Sequence, residues 1–240
     1  MNGITVIIKN WMTRKPKWYA QLVTVIMTSI LLLASSVYLK ELYGANDWMP
    51  ASRELVFGHH QYWRAWTSLF AHADIEHLLS NAFLFIPLAY LLTGYFGYWV
   101  FPAAGIFLGG IINLFVLQRM PWEIHLIGIS GVVYWMGAVW LTLFLLVDRR
   151  ESIKRRFAKV LFITVVLFIP QTYKPQVSYF SHFIGYFFGI ASALVIYYVN
   201  RQKFIDAEVT RFIPDEDEIE KDAIVGFVPE STIQQWRDVN

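Results

Sequence analysis

The chain has 240 residues, 56% hydrophobic, 18% aromatic and only 16% charged, with a mean hydropathy of +0.43. Soluble domains run at roughly 45–50% apolar and about 25% charged, so this composition excludes an ordinary soluble protein and identifies an integral membrane protein long enough for one bundle with tails. A formal net charge of +2 and no cysteine exclude disulfides, thiol nucleophiles and thiolate metal sites; the basic residues cluster beside apolar runs, which marks membrane topology and not a nucleic-acid surface.

Residues 1–17 form an N-terminal segment in which Ile4, Val6, Ile7, Ile8 and Trp11 precede Arg14, Lys15 and Lys17. Such a pattern suits a short helix lying in the membrane interface. The apolar run from Trp18 to Leu39 has the roughly 20 residues that cross a hydrocarbon core of about 30 Å. The stretch from Lys40 to Glu76 is too polar to span and too aromatic for a solvated linker, with Trp48, Phe57, Tyr62, Trp63, Trp66 and Phe70 among its residues. Amphipathic rings prefer the headgroup level, so the stretch is expected to lie there.

A second span is predicted from Ile75 to Leu92 and a third from Tyr98 to Leu117, with Gly94 and Gly97 making the turn between them. A fourth covers Leu126 to Val147 and is followed by the most basic stretch of the chain, Asp148 to Arg156. The fifth, Phe157 to Ile169, is short and stopped by Pro170; the sixth runs from Val177 to Val199. The expected fold is therefore an all-α, polytopic bundle of six transmembrane helices over 18–200, followed by an acidic tail over 201–240. Lysine and arginine in the leader, after the fourth span and after the sixth place both termini on the cytoplasmic side.

Polar residues inside the spans are the candidates for chemistry, because an ionisable group in an apolar segment is costly and faces a partner or a cavity. Ser130, within Gly128-Ile129-Ser130-Gly131, lies seven residues after Glu123, about 10 Å at a helical rise. His182 lies eight residues after Lys174, about 12 Å on the same rise, so both enter from the outer face and share a depth. His182, Gly185 and Gly189 fall at i, i+3 and i+7, a small-residue stripe that lets backbones approach, and Ser130, Tyr134, Gly137 and Ala138 form a matching one. If these faces meet, the imidazole takes the serine proton during attack and returns it to the leaving amine. Histidine's ordinary pKa, near 6.5, suits that exchange. On the second span His77 and Asn81 share one face at i, i+4 and offer donors, with the Ser130 amide, to the oxyanion of a tetrahedral intermediate. No carboxylate lies inside a span, so a Ser-His dyad and not a triad is expected. Tyr134, one turn below Ser130, is placed either to hold the imidazole by packing or to serve as a core aromatic.

These residues, taken in order, resemble the rhomboid family of intramembrane serine proteases over about residues 18–200. The resemblance is carried by Trp63-Arg64, by His72 with His77-Leu78-Leu79-Ser80-Asn81, by Gly128 to Gly131 with Tyr134, and by His182 with Gly185 and Gly189. It implies a nucleophile at Ser130, a general base at His182, and oxyanion donors from His77, Asn81 and the Ser130 amide. It also implies a first outer loop half-immersed in the membrane, substrate entry near the fifth span, and single-pass membrane proteins, met within the lipid bilayer, as substrates. No cofactor, metal or nucleic acid is implied, and the expected location is a bacterial plasma membrane. Two departures stand out: Thr93 to Gly97 lacks a glutamate common in the family's turn, and Ser181 replaces a small apolar residue beside the histidine. The competing expectations are an inactive rhomboid-like protein that binds membrane clients, and a transporter or metal protein using His59, His60, His72, His77, His125 and His182. A zinc site needs three or four such ligands to converge.

Overall fold

The computed structural model describes residues 3–169 and 178–214. Strand β1 (Gly3–Lys9) leads through a capped turn into helix α1 (Ala20–Leu39). The segment between α1 and the next long helix holds two single-turn α-helices, α2 (Ala45–Trp48) and α3 (Arg64–Thr67). Helices α4 (Ile75–Phe96), α5 (Gly105–Leu117), α6 (Ser130–Val147), α7 (Ile153–Phe168) and α8 (Tyr179–Ile205) complete the bundle, and strand β2 (Val209–Pro214) follows. Among the described residues five helical stretches are long and apolar enough to cross a membrane: α1, α4, the stretch from Trp99 through α5, α6 and α8. α7, with 16 residues, rises about 24 Å, short of a core of about 30 Å.

α6 stands at the centre. Its span is 61% buried within the protein, against 22% for α1 and 17% for α8. A helix apolar on all sides belongs inside, and Val132, Trp135, Met136, Val139 and Leu143 fill the core around it. The outer faces of α1, α7 and α8 expose Leu33, Phe162, Val195 and Val199. In water such a surface would drive association; here it is the lipid-facing coat. Backbones approach closely where side chains vanish: a Cβ on Gly185 would stand 2.2 Å from the Gly131 carbonyl oxygen, and one on Gly189 2.5 Å from that of Trp135.

The segment between α1 and α4 is pinned to the bundle. Arg64 is buried and donates from Nη1 to the Pro50 carbonyl at 3.0 Å, while Trp63 beside it is exposed. Trp66 fills the space above Gly110, where a Cβ would come within 2.0 Å of the indole, and Asn113 donates to the Ala65 carbonyl at 3.0 Å. Ala51 and Leu126 exchange backbone hydrogen bonds of 3.3 and 2.7 Å. The loop is thereby fastened to the segment that leads into α6.

Several expectations are revised. The N-terminal segment is not an interfacial helix: β1 pairs antiparallel with β2, Ile4 opposite Ile213 and Val6 opposite Arg211. β-branched residues fill β1, and they favour strand once a partner is present. Only Gly97, at φ +94, makes the turn after α4; Gly94 lies inside the helix, packed against Pro16. α6 begins at Ser130 and not at Leu126. The Pro170 stop, the loop over 170–176 and the acidic residues from Asp215 onward lie outside the described residues.

Candidate active site

The residues singled out above come from three helix ends. Gly128 takes φ +106, a conformation glycine adopts without strain, and donates its N–H to the Ser68 carbonyl at 2.9 Å. That bend leaves Ser130 as the first residue of α6, half-buried. The first N–H groups of a helix have no acceptor within it, so the Ser130 amide, with no partner among the described residues, is a donor at the positive end of the helix dipole. The depth estimate built on helical rise from Glu123 does not apply, because 123–129 are not helical. The serine reaches its level along an extended chain, and the corresponding path to His182 from Lys174 lies outside the described residues.

His77 lies against Gly128: a Cβ there would be 2.9 Å from the imidazole Cε1. The backbone of His77 donates to Asp74 Oδ1 at 2.7 Å, the cap that starts α4. Asn81 is one turn further along and buried. His182 lies in the first turn of α8, whose cap is Ser178. Its ring stacks on Tyr134 with centroids 4.0 Å apart and planes 14° from parallel. The Tyr134 hydroxyl donates to the Phe168 carbonyl at 2.9 Å, so the tyrosine holds the imidazole and the end of α7 together. Beside it a Cβ on Gly131 would be 2.8 Å from Ser181 Oγ. Contacts between α6 and α8 thus lie one residue and one turn after Ser130. No hydrogen bond joins the Ser130 and His182 side chains among the described residues; catalytic hydrogen bonds commonly tighten only once substrate is bound.

Among the described residues, three buried nitrogens at this end of the bundle have no partner: Asn81 Nδ2, His182 Nδ1 and His72 Nε2. Each such group costs about 1–3 kcal/mol, and costs of this kind persist where a group is kept for chemistry. His77 lies within electrostatic range of both His72 and His182. Among the described residues no carboxylate meets His182 Nδ1. His59, His60 and His125 are exposed, and no three metal-ligating side chains converge among the described residues.

His72 was visible in the sequence, but its anchor was not. Its Nδ1 is 2.9 Å from Ser35 Oγ on α1, and that hydroxyl donates to the Phe70 carbonyl, also at 2.9 Å. With its single proton committed, Ser35 accepts from Nδ1–H, which leaves the lone pair on Nε2. Burial, with His77 beside it, pushes the His72 imidazole down to about 4. An unfolded histidine titrates near 6.5, so between about pH 4 and 6.5 the unfolded chain binds more protons and stability falls as pH falls. Lowering pH from 7 to 5 should cost roughly 1–2 kcal/mol through this residue. Thermal unfolding in detergent at both pH values checks it: His72→Gln should show a smaller pH dependence than the unmodified protein.

A family model described as Rhomboid domain matches residues 59–199. The chain is similar to a protein named Rhomboid-like protease 3 from Toxoplasma gondii, 28% identical over 194 residues, which cover 75% of this chain and 70% of that protein. No solved structure matches the chain. Residues 59–199 contain His72, His77, Asn81, Ser130, Tyr134 and His182.

Proposed function

Since the chain belongs to the rhomboid family, we propose that it is an intramembrane serine endopeptidase in which Ser130 is the nucleophile and His182 the general base. The observation that carries this reading is the stack of His182 on Tyr134, one turn below Ser130 on the neighbouring helix, at 4.0 Å. Ser130 Oγ attacks the scissile carbonyl carbon as its proton passes to the imidazole. The tetrahedral oxyanion is met by the Ser130 amide, His77 and Asn81. Collapse of that intermediate expels the amine, which takes the proton from His182 and leaves an acyl-enzyme; water, activated by the same imidazole, then releases the carboxylate. The tyrosine stack does the orienting that an aspartate does in a triad.

The substrates on this reading are single-pass membrane proteins cut near the outer end of their helix. A helical peptide bond must unwind before a nucleophile can reach it, and the site lies at the outer helix ends, beside a pinned interfacial loop. The enzyme's place is then a bacterial plasma membrane, with both termini cytoplasmic. A serine-reactive fluorophosphonate tests the chemistry directly. It should label the purified protein at Ser130, identified by peptide mass. Absence of labelling, with the protein folded, would favour the inactive, client-binding relative.

A further inference from the structure

At the membrane face opposite the site, the inner ends of α4, α6 and α8 meet in one knot that includes both strands. Asn10, buried at the end of β1, donates from Nδ2 to Asp148 Oδ1 at 2.7 Å, just past α6. Arg150 grips the same carboxylate with bonds of 2.8 and 2.7 Å. Together these donors hold the Asp148 carboxyl below its usual range. Arg149 forks onto Glu208, just past α8, at 2.8 and 2.6 Å. Trp11 donates from Nε1 to the Tyr95 carbonyl in the last turn of α4 at 3.0 Å and meets Phe204 of α8 edge-on, centroids 5.3 Å apart. The three helices tied here are those that bear His77 and Asn81, Ser130, and His182. Asn10 and Glu208 lie outside the residues matched by the family model.

α8 is the helix that most needs such a tie. Only 17% of its span is buried, and in lipid no hydrophobic force presses a helix against its neighbour. Above the knot its contacts with α6 and α7 gather in its first half: Gly185 and Gly189 against Gly131 and Trp135, Ser192 Oγ accepting from Trp135 Nε1 at 3.0 Å, and the Tyr186 hydroxyl 2.8 Å from Thr164 Oγ1. A helix gripped by its first half alone is free to swing at its far end, where Val195, Tyr198 and Val199 are exposed, and the swing would tilt His182 against Ser130. A fixed point at the far end, about 27 Å away along α6, removes that freedom. Glu208, with a side chain only 11% exposed, is fixed by both oxygens to one guanidinium, which sets an angle as well as a distance.

We infer that the Arg149–Glu208 fork, with the Asn10–Asp148 bond, is a positioning device that sets the tilt of α8 and so the alignment of His182 with Ser130. This rests on the proteolytic reading above. Misplacement by about 1 Å costs up to 10²-fold in rate, so partial loosening should cost about tenfold in kcat.

The test compares the full-length protein, Glu208→Gln, Asn10→Ser and the exchanged pair Arg149→Glu with Glu208→Arg. Fluorophosphonate labelling rate, kcat and KM on a single-pass test substrate, and helix content by circular dichroism are measured for each. Expected are a labelling rate and kcat about tenfold lower in both single variants, with KM and helix content unchanged, and recovery to within about threefold in the exchanged pair. Wild-type kcat in Glu208→Gln and Asn10→Ser would overturn the inference, as would a loss that tracks helix content and is not recovered by the exchange. A full-length protein that neither labels nor cleaves removes the proteolytic reading and this inference with it; one that does both while the single variants match it removes the inference alone.

Discussion

Ser130→Ala should reduce cleavage of a reconstituted single-pass substrate to background, a loss of about 10⁴-fold or more. His182→Ala should lose as much, and the double variant no more than either alone, because nucleophile and base act on one proton in one step. That non-additivity separates a working dyad from two independently useful residues. Losses that multiply in the double variant, or cleavage that survives Ser130→Ala, would remove Ser130 as nucleophile. His77→Ala and Asn81→Ala are expected to be milder, on the order of 10²-fold each, as for loss of one oxyanion donor. Both variants should keep their helix content: neither side chain belongs to the apolar core, and Asn81 Nδ2 has no partner to lose among the described residues.

Gly185→Ala is the second large effect, and it acts without touching either dyad residue. The added methyl would stand 2.2 Å from the Gly131 carbonyl oxygen, 3.0 Å from its carbon and 3.2 Å from its Cα. All three are backbone atoms of the turn that carries Ser130, so no side chain can swing aside. The helices must part, on the order of 1 Å, where imidazole and hydroxyl have to meet. Overpacking of this kind costs about 1–3 kcal/mol, and the displacement costs up to 10²-fold in rate. Melting temperature and fluorophosphonate labelling should therefore fall together. Phe187→Ala, two residues further on and 61% exposed to the lipid side, should change neither. Unchanged labelling in Gly185→Ala would mean that the close approach at Gly131 is not needed for the site.

The bundle was legible because a bilayer leaves a chain few choices. Backbone groups in lipid must bond within their own segment, so each long apolar run has to be a helix. The small residues on α6 and α8 were legible for a related reason: the 3.6-residue period puts Gly185 and Gly189 below His182 on one face whatever else the chain does. The start of α6 was not. Leu126 to Ile129 is as apolar as the helix after it, and only the bridge to Ala51 and the bend at Gly128 end the extended segment there. Nothing local marked Ser35, on a helix far from the motif, as the partner of His72.

What the sequence determined by itself is the set of apolar helices, the small-residue stripes and the polar residues they carry, since each follows from lipid and from helical period acting on neighbouring residues. The tertiary structure alone decided that Ser130 opens its helix, that Tyr134 holds His182, and that β1 and β2 close a knot beneath α4, α6 and α8. Those features depend on contacts between residues as far apart as Asn10 and Asp148. No local preference encodes them: the free energy that fixes them appears only when the distant segments meet.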